Sequence, residues 1–235
     1  MIFNLEKMSL CWAGTIRGLC FWVLALLLIT GVSYAAPTIN GPTGLISVPT
    51  AESLKYKEFN VAVDKLFGAA GKDGLDEWSY KLNLGTFQNW EIGVVGGTVP
   101  TEGMYLNIKY YLLSDASELP LSIAIGVENL SSTDKTDVYM VASKKLREDF
   151  GLHLGFKAIF QDSNVEPVIM GGVNFMVNEQ LEILGDINGD GENYMANVGA
   201  AYYINPSFSV RTYLIDVLDA VGTQFSIGLT YSKFL

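Results

Sequence analysis

Few side chains in this sequence are equipped for chemistry. There is one histidine, His153, and there are two cysteines, Cys11 and Cys20. A membrane-embedded acyl hydrolase needs a His beside a Ser on a surface that lipid can reach. His153 stands in "LHLGFKAIFQ" (152–161), where Leu152, Leu154 and Phe156 alternate with His153, Gly155 and Lys157. On a strand this alternation puts His153 on the polar face, away from any lipid-facing surface. The expectation is a polar wall residue and a protein that is not an enzyme. The stretch "DINGDGEN" (186–193) offers Asp186, Asn188 and Asp190, followed by Gly191. It matches the opening of a calcium loop, in which alternate oxygens wrap a hard cation. The bidentate Glu of such a loop is replaced here by Asn197, and Asp-Gly is equally a hairpin-turn pair. Calcium is thus the one cofactor for which the sequence offers ligands. No glycine-rich phosphate loop, nucleophile elbow or metal-spaced His/Cys cluster is present.

A second group of residues is defined by position rather than by motif. Lys81, Glu91, Lys109, Glu128, Lys157, Glu182 and Arg211 all occupy polar slots of alternating apolar/polar runs, as does Asp186. Charges of both signs on one face of a sheet are read in two ways. They are ion pairs that fill and rigidify a lumen, or the lining of a conduit for a small polar solute or a glycan. The mixed signs and a modest strand number favour the filled lumen.

These slots belong to twelve alternating runs that begin at Phe59 and continue to the last residue. They cover 59–67, 78–87, 90–99, 104–113, 121–130, 137–146, 152–161, 168–177, 181–189, 194–205, 208–217 and 224–235. A tilted transmembrane strand needs about 9–11 residues, which is the length of most of them. Short connections (88–89, 147–151, 178–180, 206–207) alternate with more open, often acidic ones (68–77, 100–103, 131–136, 162–167, 190–193, 218–223), and one on the short side, 114–120, is longer than its siblings. That asymmetry is characteristic of outer-membrane barrels. Trp78, Tyr80, Trp90, Tyr110, Tyr202, Phe208 and Phe225 lie near run ends on the apolar face, where an interfacial girdle belongs. The pattern predicts an all-β, antiparallel up-and-down transmembrane barrel of about 12 strands. The competing architecture is a soluble periplasmic barrel with the apolar faces inward, holding a small hydrophobic ligand.

The N-terminus reads as an export signal. Lys7 and Arg17 precede the apolar run Leu19–Val32, and "SYAA" supplies small residues for cleavage after Ala35. Both cysteines fall inside residues 1–35, so the mature chain would carry no thiol. Removing Glu6, Lys7 and Arg17 takes 15 basic and 25 acidic residues to 13 and 24. Such an acidic balance excludes nucleic acid as a partner. The division expected is a signal peptide (1–35), a turn-rich periplasmic lead-in or plug (36–56), and a barrel (57–235). Export plus strands implies the outer membrane of a diderm bacterium, with membrane lipid and the barrel-assembly machinery as partners. The closing strand resembles that machinery's recognition signal at Ser226, Gly228 and Tyr231, although Lys233 takes the last apolar slot.

The lead-in "GPTGLISVPTAE" (41–52), followed by the strand start "EFNVAV", resembles the beginning of the YjbH-like family. That family comprises outer-membrane barrels associated with exopolysaccharide production. The resemblance rests on Thr43-Gly44-Leu45-Ile46 and Pro49-Thr50-Ala51, and typical members are longer. It implies a barrel linked to exopolysaccharide secretion, with polysaccharide-export proteins as partners, and it brings no catalytic residues. The functional expectation is an envelope barrel with a structural or transport role. The alternative is a narrow porin-like channel whose currents are set by the lumen charges.

Overall fold

Side-chain alternation gives each strand two unlike faces, and closing the sheet leaves no edge unpaired. The computed structural model describes residues 36–68, 77–98, 103–113, 121–218, 220 and 222–235. The expected signal peptide lies outside these residues. Twelve strands follow in chain order: β1 (Glu58–Phe67), β2 (Glu77–Thr86), β3 (Trp90–Gly97), β4 (Tyr105–Leu113), β5 (Ser122–Glu128) and β6 (Lys135–Arg147), then β7 (Phe150–Gln161), β8 (Asn164–Met176), β9 (Leu181–Gly189), β10 (Tyr194–Asn205), β11 (Phe208–Ile215) and β12 (Gln224–Phe234). Each pairs antiparallel with its chain neighbours. β1 closes on β12 through ten pairs, from Glu58↔Phe234 to Phe67↔Phe225. The protein is an all-β, closed, up-and-down barrel.

The apolar faces point out. Leu154, Ile169 and Leu229 are 58%, 66% and 59% exposed, far more than a water-facing wall tolerates in so continuous a belt. This arrangement is the reverse of the soluble alternative, whose apolar faces would line the interior. Aromatic pairs bracket the belt at both ends. Trp90 stacks on Tyr110 and Phe208 on Tyr231, each at 4.6 Å, at the end that carries the C-terminus; Phe67 meets Phe225 at 5.9 Å at the far end. Three bulges, at Tyr111/Leu113, Lys145/Arg147 and Tyr203/Asn205, all lie at the C-terminal rim, where barrels commonly place them.

Hairpin chemistry explains the shortest connections. Asn89 (φ 72°) and Asp162 (φ 52°) take left-handed conformations that short polar side chains tolerate. The second of these corrects an expectation, because residues 162–167 are not an open loop. β8 starts at Asn164 and pairs with β7 all the way from Gln161↔Asn164. Pro167 masks this strand start in the sequence. It is accommodated because β8 pairs with β9 only from Ile169 onward, so Pro167 sits where one side of the ladder is empty.

The interior is not empty. Residues 36–56 run inside the barrel, and two apolar clusters join them to its wall. In one, Leu45 and Ile46 pack with Leu184, Ala201, Tyr203, Tyr213 and Ile215. In the other, Val48 and Ala51 pack with Ala124, Tyr139, Val141, Val168 and Met170.

Candidate functional site

The internal segment has little regular structure of its own, so its peptide groups need partners elsewhere. Some are local: Ile39 N–H donates to Ile46 O (2.7 Å), Gly44 N–H to Ala36 O (2.9 Å) and Leu45 N–H to Val48 O (2.9 Å). Gly41 adopts φ 116°, open only to glycine, and any Cβ on Gly44 would collide with Val48 O and Pro49. The motif residues Thr43-Gly44-Leu45-Ile46 and Pro49-Thr50-Ala51 form this tight double turn.

The remaining partners are the charges of the wall. Asp186 on β9 accepts the N–H groups of Ile46 (2.9 Å), Ser47 (2.7 Å) and Val48 (3.0 Å), the Ser47 hydroxyl (3.0 Å) and the Asn197 amide (2.7 Å). Glu91 on β3 accepts from Thr43 N–H (2.9 Å), the Thr43 hydroxyl (2.7 Å) and Leu54 N–H (3.1 Å). Lys109 on β4 lies 3.6 Å from Glu91 and donates to the carbonyls of Thr43 (2.9 Å) and Glu52 (2.6 Å), and to the Thr43 hydroxyl. Arg211 on β11 donates to Pro37 O (2.8 Å) and Leu45 O (3.1 Å). Asn83 and Asn107 hold the carbonyls of Gly41 and Asn40. Carboxylates thus meet peptide N–H groups, and cations meet carbonyls.

All seven charges expected to face the lumen do so, and each is 7% exposed or less. They divide into three sets. Glu91, Lys109 and Arg211 grip the segment directly. Lys81 pairs with Asp64, and Lys157 with Glu128 at 2.5 Å and Asp137 at 3.8 Å, bracing strand to strand. Glu182 ends a chain of contacts that crosses five strands. Tyr203 OH donates to Glu182 (2.6 Å), which also accepts Asn174 Nδ2 (2.8 Å). The Asn174 Oδ1 therefore faces His153 Nε2 (3.0 Å), and His153 Nδ1 meets the Ser143 hydroxyl (2.7 Å). Ser143 in turn accepts the Ala51 N–H (2.8 Å). His153 is inside the barrel, remote from its lipid-type exterior, and it supports the wall that holds Ala51.

The candidate calcium residues are dispersed among different tasks. Asp186 holds the internal turn, Asn188 donates to the Ser47 hydroxyl (2.8 Å), and exposed Asp190 caps its own hairpin at Glu192 and Asn193 N–H. Among the described residues, no group of three or more His, Cys, Asp or Glu side chains is arranged to hold a metal ion. The residues missed from sequence are Asp64, Asn83, Asn107, Ser143, Asn174 and Asn197. All share the inward parity that exposed the seven charges, and small polar side chains at that parity were the available signal.

Two cavities flank the segment. One of about 390 Å³ opens at the far end and reaches Asn40, Asp64, Lys81, Asn129 and Ser226. One of about 340 Å³ opens at the C-terminal rim and reaches Leu45, Ser143, His153, Glu182 and Arg211.

No protein-family model matches this chain, and no curated protein matches it in sequence. Solved structures do resemble it. The KdgM porin superposes with a TM-score of 0.52 at 12% identity, covering 73% of this chain and 98% of the porin. The NanC porin gives 0.54 at 12% identity, covering 75% and 99%. The likeness is one of fold. It supplies a porin-type barrel and leaves the contents of this lumen as the feature to be explained.

Proposed function

We propose that this protein spans the outer membrane as a transport barrel held closed by its own residues 36–56. The observation that carries the reading is the grip of Asp186 on three consecutive peptide N–H groups of that segment, 2.7–3.0 Å each. A barrel needing only rigidity would fill its lumen with apolar side chains, which cost no charge desolvation. Here the lumen offers buried charges to a segment that can leave. The exposed apolar belt and its aromatic rims support a lipid surroundings. A KdgM structure described as a complex with disordered oligogalacturonate shows one porin of this fold meeting an acidic oligosaccharide. A polar oligosaccharide is accordingly the first cargo to test, and it agrees with the exopolysaccharide link implied by the 41–52 resemblance.

The test has two parts. Cell fractionation should recover the chain in the outer membrane, with migration that changes on boiling. In planar bilayers the full chain should show at most a small leak, and Asp186→Ala should show large openings. A wide, steady pore from the unaltered chain would refute closure by residues 36–56.

A further inference from the structure

None of the four charges that grip the internal segment lines the cavity at the far end of the barrel. That cavity has a volume of about 390 Å³, near the lower end of the range of roughly 300–1,000 Å³ in which proteins hold small ligands. Its floor is the segment itself. Residues 38–41 form a turn closed by Gly41 N–H on Thr38 O (3.2 Å), with Gly41 in the left-handed region. Ile39 and Asn40, at the tip of this turn, are half-buried and line the cavity, while Thr38 and Gly41 on either side are buried.

The walls offer two kinds of surface. Leu66, Val95 and Ile215 are apolar, and Tyr105 adds a ring from the inward parity of β4. Beside them stand neutral polar side chains, and three of these have nothing to hold. Among the described residues, the side chains of Ser79 and Gln224 make no hydrogen bond, and the buried Ser226 hydroxyl is also without a partner. Strand register gathers the three on one side. Ser79 of β2 pairs with Asp64 of β1, Leu66 of β1 pairs with Ser226 of β12, and Gln224 precedes Ser226 by one strand period. Buried polar groups are nearly always satisfied, so a hydroxyl left open at a cavity wall is available to a group that enters from outside.

The charges at this cavity cancel. Lys81 is paired with Asp64, and Glu77 and Lys135 supply one further charge of each sign. Arg211 lines the rim cavity instead, and Lys157 is held by Glu128 and Asp137. A carboxylated ligand therefore finds no surplus cation here. A neutral, hydroxyl-rich ligand finds amides and hydroxyls that both donate and accept, set among apolar walls. We infer that this cavity binds a neutral mono- or disaccharide unit, with Ser79, Gln224 and Ser226 bonding its hydroxyls, Tyr105 and the aliphatic side chains packing its C–H face, and the segment tip as its floor. The inference deepens the closed-barrel reading above and rests on it, because Ile39 and Asn40 line the cavity only while residues 36–56 are seated. Linkage then fixes the sign of the coupling: a ligand that touches the seated tip holds the segment in.

The experiment has two readouts on the full-length protein in sugar-free detergent. Ligand-observed NMR titrations use cellobiose, maltose and lactose as neutral probes and digalacturonate as the acidic one. At least one neutral disaccharide should bind, several-fold more tightly than digalacturonate. The double variant Ser79→Ala/Gln224→Ala should raise its Kd at least fivefold and leave the guanidinium midpoint unmoved, because these side chains hold nothing else. Heat-dependent gel migration verifies folding, and if the double variant fails to fold, the Kd of Asn40→Ala decides. The second readout is maleimide labelling of Ile46→Cys, a fully buried position, with Cys11 and Cys20 replaced by Ser. The bound disaccharide at ten times its Kd should slow labelling about tenfold if it binds only the seated state. Digalacturonate binding as tightly as the neutral probes, an unmoved Kd in the variants, or an unchanged labelling rate overturns the inference. Binding of no neutral probe, with Ile46→Cys protected and Asp186→Ala exposing it, overturns the saccharide site and leaves the closed-barrel reading standing. Rapid labelling of Ile46→Cys without any sugar overturns both.

Discussion

Replacing Asp186 with alanine should release the internal segment, and the structure allows the effect to be sized. The carboxylate receives five hydrogen bonds, four of them from Ile46, Ser47 and Val48. Each orphaned buried N–H costs roughly 1–3 kcal/mol, so three peptide groups alone set a ceiling of about 9. Two effects reduce this. The buried carboxylate's own desolvation penalty disappears, and water can enter the space it leaves. Three orphaned peptide groups at the lower half of that range leave a cost of about 3–5 kcal/mol. At about 1.4 kcal/mol per tenfold, the segment-out population should rise by roughly 10²- to 10⁴-fold. The assay is thiol labelling. Ile46 is fully buried, so Ile46→Cys, with Cys11 and Cys20 replaced by Ser, reacts with a membrane-impermeant maleimide only when the segment has left. Where reclosing outpaces reaction, the labelling rate follows the open population. In outer-membrane vesicles the rate for Asp186→Ala should exceed its parent by at least two orders of magnitude. A rate within threefold of the parent, in a variant that still migrates as a folded barrel, would refute the assignment of Asp186 as the latch.

Three further outcomes are expected. Lys157→Met strands the fully buried Glu128 carboxylate, so the barrel should lose about 3–5 kcal/mol, read as a lower guanidinium midpoint in micelles; adding Glu128→Gln should recover most of that loss. His153→Ala removes the link between Ser143 and Asn174, at a cost of about 1–3 kcal/mol, and should leave the phospholipid and lipid A acyl composition of the membrane unchanged; an altered acyl composition would make His153 part of an enzyme. The Asp190 carboxyl is held below its ordinary value, chiefly by the backbone N–H of Asn193 and also by that of Glu192. A depressed value stabilises the hairpin above the unfolded-state pKa and is lost as pH falls through the folded one. Carboxyl-carbon NMR should accordingly place its midpoint below that of a free aspartate, and Glu192→Ala should not move it, because backbone groups set it.

The barrel was legible because its rule is local. Twelve period-two runs appear one after another, and runs such as 181–189 and 194–205 coincide with β9 and β10. The inward charges were legible for the same reason, since parity alone assigns Lys109 or Arg211 to the lumen. Three things were not legible. β8 hides its first residues behind Pro167, where an absent ladder partner removes the usual objection to proline. The calcium-like spacing of Asp186, Asn188 and Asp190 obeys the strand period, which brings Asp186 and Asn188 to one face for an entirely different purpose. The seating of residues 36–56 left no periodic trace at all. The groups that satisfy it come from Glu91, Ser143, Asp186 and Arg211, 37 to 174 residues away in the chain.

The choice of charges to hold the segment bears on what the barrel is for. A permanent filling is best made of apolar side chains, because two buried opposite charges repay their desolvation only with good geometry. Asp186 and Arg211 spend their hydrogen bonds on residues 36–56 and on neutral groups of the wall, and Glu91 and Lys109, although 3.6 Å apart, each also bond Thr43 of that segment. On the closed-barrel proposal the arrangement would be satisfied in two states. With the segment inside, peptide N–H and carbonyl groups saturate the charges; with it outside, water does. An apolar lumen would be stable only when filled, since emptying it would expose greasy surface and favour refilling or collapse. The β12 wall fits the same logic, because Ser226, Gly228, Thr230 and Ser232 present no apolar surface to water when the segment leaves. The bracing pairs Lys81–Asp64 and Lys157–Glu128 run between strands and do not involve the segment, so the wall keeps its shape through the change. On the closed-barrel proposal, wall charges that water could satisfy, an internal segment held by hydrogen bonds, and ion pairs that brace strand to strand are what a closable conduit would require, and a merely structural barrel would require none of them.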